Sequence, residues 1–180
     1  MTDTSTRNAD DEPTHDPLFD PETLRGREDV EFTEATRVHD DEDHCSVDIE
    51  GKAVVGVTDD EGKLLLIVDD EREFATPPGG NVESGDDWAA VGKERTEHLF
   101  ELPIELDGPR RVRKVEHVTE GDNDPHATSY EVVFEASPVA NPDGATDGCD
   151  WRAEWVESFP EVAGNDGGPA EADARLFVDD

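Results

Sequence analysis

Thr76-Pro77-Pro78-Gly79-Gly80-Asn81-Val82-Glu83-Ser84-Gly85-Asp86 is the stretch of this sequence on which its fold turns. Two prolines with fixed φ and two glycines without Cβ predict a rigid turn at 76–80. Ser84 or Asp86 then offers a side-chain oxygen as a helix cap. A helix is predicted from about Asp86 to Phe100, and Pro103 marks its stop. Upstream, the apolar runs Lys52–Val57 and Lys63–Val68 flank Asp59-Asp60-Glu61-Gly62, a pattern that predicts a β-hairpin. Downstream, Arg111–Val118 alternates polar and apolar residues and Ser129–Ala136 carries Tyr-Glu-Val-Val-Phe, giving two more strands. The turn-rich Asn141-Pro142-Asp143-Gly144 leads to a last strand at Ala153–Val156. Val30–Ala35 alternates weakly, as an edge strand would. A second helix after Phe159-Pro160 is opposed by Gly164, Gly167 and Gly168. Mixed strands around one clear helix make the chain α+β, or a three-layer α/β/α arrangement.

With the hairpin before it and a helix after it, Pro78–Asp86 resembles the start of a Nudix box. The family pattern is G-x5-E-x7-R-E-U-x-E-E-x-G-U, with U a bulky aliphatic residue. Glu154-Trp155-Val156-Glu157-Ser158-Phe159-Pro160 is similar to the late strand and turn of many such domains. The chain therefore resembles the Nudix (MutT-like) hydrolase superfamily over residues 50–162. The resemblance implies a Nudix-like α/β/α sandwich with a mixed β-sheet. It implies hydrolysis of a nucleoside diphosphate linked to another moiety, with Mg²⁺ or Mn²⁺ as cofactor and a small-molecule nucleotide or other diphosphate as partner. Gly79, Gly80, Glu83 and Gly85 take the places of the phosphate and metal loop, and Asp86 fills the first acidic position. Glu120, with Asp122 and Asp124 in the stretch Thr119–His126, stands where a later loop often supplies a further acid; an acidic turn between strands is the plainer reading. Paired domains are common in the family, so the resemblance allows a homodimer.

The second half of the box departs from the pattern. Counted without a gap from Gly80, the arginine position falls on Glu94 and the first helical glutamate on Arg95. Thr96 takes the aliphatic position, the glutamate pair falls on His98 and Leu99, and the glycine on Glu101. Arg95 is the sharpest departure: a unit charge about 5 Å from a divalent ion interacts by roughly 6–7 kcal/mol at an effective dielectric of 20, here with the wrong sign. A slip of one residue would instead offer Glu94, Glu97 and His98 as metal ligands. Helical geometry opposes the slip. It sets Trp88, Gly92, Leu99 and Leu102 on one face and Lys93, Glu97, Glu101 and Glu94 nearly opposite, as a solvated acidic face. Catalytic competence is thus in question. The alternatives are a non-catalytic nucleotide-binding or partner-binding protein of this fold, and an unrelated small acidic α+β protein.

Composition sets the surroundings. The 180 residues carry 15 Lys+Arg against 49 Asp+Glu, a formal charge of -34, with 33% hydrophobic residues. Such composition also occurs in disordered chains, but the runs Ala53–Val57 and Leu64–Val68 supply a core. At molar ionic strength the Debye length is about 3 Å, so repulsion among spread carboxylates is screened. A cytoplasmic protein of a halophile is expected, with a melting temperature that rises with KCl. The charge argues against nucleic acid and anionic membranes, which need a basic footprint, and no apolar stretch approaches a membrane span. Cys45 and Cys149 have no zinc spacing and read as buried or idle thiols. The expected organisation is a disordered acidic tail at 1–17, an extension of uncertain structure at 18–49, the Nudix-like domain at 50–162 and a flexible C-terminal segment at 163–180.

Overall fold

The computed structural model describes residues 21–41, 49–139, 147–161 and 168–178. The expected tail at 1–17, Cys45 and the turn at Asn141–Gly144 lie outside these. Strands β1 (Glu31–His39), β2 (Gly51–Val57), β5 (Gly79–Val82), β6 (Ile104–Thr119) and β7 (Ala127–Pro138) form a mixed sheet in the order β1-β6-β7-β2-β5. Within it β1 runs parallel to β6 and β2 parallel to β7, while β6–β7 and β2–β5 are antiparallel. Strands β3 (Leu64–Asp69), β4 (Phe74–Thr76) and β8 (Arg152–Val156) make a second, antiparallel sheet in the order β4-β3-β8. Helix α1 (Trp88–Phe100) packs on one face of the mixed sheet, and a short helix α2 (Pro169–Ala174) closes the chain.

The predicted hairpin is corrected. Asp59 closes a tight turn, its Oδ1 accepting from the backbone N–H groups of Glu61 and Lys63. Beyond the isolated bridge Thr58↔Leu64, however, β2 and β3 part into different sheets. β2 is buried on both faces from Ala53 to Val57, as a strand held between β7 and β5 must be. An apolar run announces burial; it does not name the partner strand.

The predicted turn at Gly79-Gly80 is also corrected: these residues are the first half of β5, with Ala53 opposite Gly80 and Val54 opposite Gly79. A Cβ on Gly79 would lie 2.2 Å from the Ala53 carbonyl oxygen. The glycine admits a backbone, and only glycine can. Gly79→Ala is expected to cost about 1–3 kcal/mol as β5 is pushed off β2, read as a lower midpoint in urea.

Helix α1 is capped by Asp87, one residue past Asp86 and three past Ser84, and its Oδ1 accepts from the N–H groups of Ala89 and Ala90 at 3.0 and 3.2 Å. It ends at Glu101 in the left-handed region, ahead of Pro103. Trp88, Gly92, Thr96 and Phe100 recur every four residues as its buried stripe. Trp88 fills the cluster around Ala53, Val82, Val112 and Val132, and Phe100 meets Val55, Leu65 and Leu102. Gly92 lets the helix approach β2, since a Cβ there would stand 3.0 Å from Val55 Cγ2. Thr96 is fully buried, and its hydroxyl has no hydrogen-bond partner among the described residues. An unsatisfied buried hydroxyl costs about 1–3 kcal/mol. Thr96→Val, which restores an aliphatic group of the same shape, is therefore expected to raise the melting temperature by several degrees, at roughly 2–4 °C per kcal/mol for a chain of this length.

Described segments on either side of the 50–162 region pack onto the sheets. Leu24 and Val30 pack with Trp88 and Val132, and β1 extends the mixed sheet at the β6 edge. Residues 168–178, expected within a flexible segment, form α2 and a following turn whose Ala174 and Val178 pack with Leu64, Leu66 and Val156. The glycines that opposed a helix precede Pro169, which opens it at a position where no N–H is needed. Cys149 is exposed rather than buried.

Candidate functional site

The loop between β5 and α1 is built by its own polar groups. Asp86 Oδ2 accepts from the Glu83 N–H at 3.0 Å, and the Asp86 N–H donates to the Glu83 carbonyl at 3.0 Å. Gly85, at φ +91, makes the reversal between them. Glu83, Gly85 and Asp86 are thus brought together at the rim, all exposed, directly after Gly79 and Gly80 in β5.

The face that α1 turns to this strand is set by Val91 and Arg95. A Cβ on Gly80 would meet Arg95 Cγ at 3.1 Å and Val91 Cγ1 at 3.5 Å, so the Arg95 stem lies along the glycine. Every other arginine among the described residues is ion-paired. Arg95, exposed beside the box strand in a chain of 49 acids, makes no ion pair among them. Leu99, one turn on, packs into the core cluster of Phe100.

The residues of the slipped register are not assembled. The Glu97 carboxylate is spent locally: its Oε2 accepts from Lys93 Nζ at 3.1 Å and from the backbone N–H of Ile104 at 2.9 Å, which ties the helix to the start of β6. Glu94 and His98 are exposed. Glu120 is exposed in the β6–β7 turn, its N–H donating to the His39 carbonyl at 2.8 Å. Strand pairing places that turn and the 83–87 loop at the same end of the mixed sheet, but β6 and β5 are three strand spacings of about 4.8 Å apart. Among the described residues no three or more histidine, cysteine or carboxylate groups are spaced to hold a metal ion. Trp151 stands edge-on to Phe100 at 5.4 Å, a packing contact.

The opposite face of the mixed sheet holds polar structure that the sequence reading missed. Alternate charges run from β1 through β6 and β7 to α2. Glu31 pairs with Arg111 at 3.1 Å and Arg111 with Asp173 at 3.2 Å. Asp173 then pairs with Arg113 at 2.7 Å, Arg113 with Glu131, and Glu131 with Arg37 at 2.7 Å. Burial pushes the Glu131 carboxyl up, but the flanking Arg37 and Arg113 outweigh it and hold the group below the usual carboxylate range. At Asp173 burial prevails, and its carboxyl is pushed above that range despite Arg113 and Arg111. Burial likewise opposes the Arg113 charge, and Asp173 and Glu131 more than compensate. The available signal was Arg110-Arg111-Val112-Arg113-Lys114, a basic cluster in a chain with only 15 Lys+Arg.

Neither a protein-family model nor a curated protein sequence matches the chain. Solved structures do. A UDP-X diphosphatase is similar at 12% identity over 72% of this chain and 61% of its own length, with a TM-score of 0.52. The dihydroneopterin triphosphate pyrophosphohydrolase of E. coli is similar at 12% identity over 73% of this chain and 97% of its own, with a TM-score of 0.50. A NUDIX-family hydrolase from Clostridium perfringens is similar at 13% identity and a TM-score of 0.48 over 72% and 99% of the two chains. At such identities the likeness is one of fold. The mixed sheet, the second sheet and the helix after a glycine strand form an α+β fold of the Nudix type.

Proposed function

We propose that this Nudix-fold chain, related to hydrolases of nucleoside diphosphates linked to another moiety, binds a nucleotide or other diphosphate without the family's metal-dependent hydrolysis. The observation that carries the reading is Arg95, an arginine with no ion pair among the described residues, laid along Gly80. A diphosphate held in so acidic a protein needs a compensating cation. Mg²⁺ on helical carboxylates is one way to supply it; a guanidinium, planar and always charged, is another. Arg95 stands in the first of those carboxylate positions, so the second way replaces the first.

Mg²⁺ or Mn²⁺ does not fit the residues present. Glu97 already caps the first residue of β6, Glu94 and His98 face solvent, and Leu99 has no ligand atom. Without those ligands no metal is held to activate water, and the loop of Gly79, Gly80, Glu83 and Gly85 is left to position an anion. Asp86 serves the turn through the Glu83 N–H. Glu120 lies across the sheet and has no part in the reading.

The test is a panel of nucleoside diphosphate derivatives in molar KCl with Mg²⁺ or Mn²⁺. Ligand-induced stabilisation with no release of phosphate or monophosphate is expected. Metal-dependent turnover abolished by Glu97→Gln or His98→Ala would restore the slipped site and overturn the reading. The cytoplasmic high-salt setting and a homodimer belong to the same proposal. A melting temperature that climbs from dilute buffer to molar KCl would support the first, and a concentration-dependent mass in solution the second. No helix among the described residues is long and apolar enough to cross a membrane.

A further inference from the structure

Strand β1 lies at one edge of the mixed sheet, and among the described residues only β6 pairs with it. A row of open N–H and C=O groups is a template for another strand, and proteins guard such edges with proline, bulges or projecting charge. β1 lacks these devices. It contains no proline, and its register with β6 runs unbroken from Glu31↔Arg111 to His39↔Thr119. Its charges are taken up inside the chain: Glu31 pairs with Arg111, Glu34 with Arg25 and Arg37 with Glu131. Val38, an apolar side chain, is 64% exposed there.

One hydrogen bond fixes which backbone groups point outward. His39 stands opposite Thr119, and its carbonyl accepts from the Glu120 N–H at 2.8 Å. Along a strand, the N–H and C=O of one residue point to the same side, and the side alternates from residue to residue. Glu31, Thr33, Ala35, Arg37 and His39 therefore bond to β6. Phe32, Glu34, Thr36 and Val38 turn their backbone groups to the open edge.

We propose that this edge joins two copies of the chain, with β1 pairing antiparallel to its own counterpart about a two-fold axis at Ala35. Outward groups meet only outward groups, so even positions must face even positions. Centred on Ala35, Phe32 lies opposite the partner subunit's Val38, and Glu34 opposite the partner subunit's Thr36. On the other face Glu31 meets the partner subunit's His39, and Thr33 the partner subunit's Arg37. Every residue of the strand is then paired, no like charges face each other, and an apolar pair covers Val38. Centring on Glu34 would set two carboxylates together, and centring on Thr36 would shorten the ladder. Each chain carries -34, so repulsion opposes the pair in dilute buffer and screening in molar KCl relieves it. The proposal rests on the homodimer named above and is independent of Arg95.

The full chain is examined by sedimentation equilibrium in molar KCl, from micromolar to millimolar concentration. The mass is expected to move from 19.8 kDa toward twice that value, and to fall back in dilute buffer. Thr36→Pro removes an outward N–H and no bond to β6, so dimerisation should weaken by about tenfold or more while the melting temperature of the dilute monomer holds. In a chain with Cys45 and Cys149 replaced by serine, Ala35→Cys is expected to cross-link on oxidation. Residues facing each other in a non-hydrogen-bonded pair stand about 4.5 Å apart between Cα atoms, within disulfide reach. Thr33→Cys, opposite the partner subunit's Arg37, should stay monomeric under denaturing conditions. A mass of 19.8 kDa at every concentration would overturn the homodimer and this surface together. A dimer equally tight in Thr36→Pro would keep the homodimer and overturn this surface. Failure of Ala35→Cys to cross-link, or cross-linking through Thr33→Cys, would overturn the register.

Discussion

Replacing Glu131 with glutamine is expected to lower stability by about 3–5 kcal/mol, the cost of breaking a buried ion pair and leaving its partner charged. Glu131 is 8% exposed and lies between Arg37 and Arg113, so its loss removes the carboxylate that pairs with Arg37 and leaves Arg113 with Asp173 alone. The melting temperature should fall by roughly 6–20 °C. The pH dependence separates this mechanism from lost packing. The folded carboxyl of Glu131 is held below its unfolded value near 4.5, so the native state binds fewer protons. Its contribution is present above that value and is lost as pH falls through the folded pKa, so wild type and Glu131→Gln should converge in acid. Asp173 has the opposite sign. Its folded carboxyl lies above the unfolded value of 3.8, so ionising it costs stability as pH rises through the folded pKa. Relative to Asp173→Asn, the wild type should gain stability as pH falls. Opposite slopes for the two variants in chemical denaturation are the expected result, and parallel slopes would contradict the ladder.

Replacing Arg95 with alanine is expected to weaken diphosphate binding by about 10–150-fold, the range of a charge-assisted hydrogen bond worth roughly 1.5–3 kcal/mol. Arg95→Glu should weaken it further, because like charge then faces the phosphate beside Gly80. Neither variant is expected to shift the melting temperature by more than a degree or two, since Arg95 is exposed and makes no ion pair among the described residues. Arg95→Lys tests the geometry: lysine keeps the charge but loses the planar fork. Partial recovery with lysine would place charge first, and no recovery would place bidentate contact first.

How much of this was legible in the sequence depended on how local the cause was. Helix α1 was readable because capping oxygens at Ser84 and Asp86 precede it and Pro103 follows, and Trp88 and Gly92 were rightly set on its buried face, to which the structure adds Thr96 and Phe100. The cap was missed by a residue because Ser84, Asp86 and Asp87 all carry capping oxygens, and only geometry chose Asp87. The glycine pair was read as a turn because the reason for Gly79 is the Ala53 carbonyl, a neighbour in space and not in sequence. The separation of β2 from β3 is of the same kind: what decides it is β7, more than seventy residues downstream.

At the site, counting along the box placed Arg95 where a metal carboxylate would stand, and its stem does lie along the glycine strand. What counting could not give was the use made of Glu97, whose partner is the backbone of Ile104 after a chain reversal. The ion ladder escaped for the same reason, since it joins elements far apart in sequence. Fold and chemistry part company here. The fold is of the Nudix type, while the proposed reading of the helix after β5 rests on an arginine and a strand cap standing where the family pattern has carboxylates.

Calorimetric titration of ADP into the full chain in molar KCl, once with EDTA and once with Mg²⁺, tests the central claim most directly when phosphate release is followed in the same samples. The account predicts the same affinity in both conditions, lost in Arg95→Glu, with no phosphate released. Binding that appears only with Mg²⁺, accompanied by phosphate release, would contradict it.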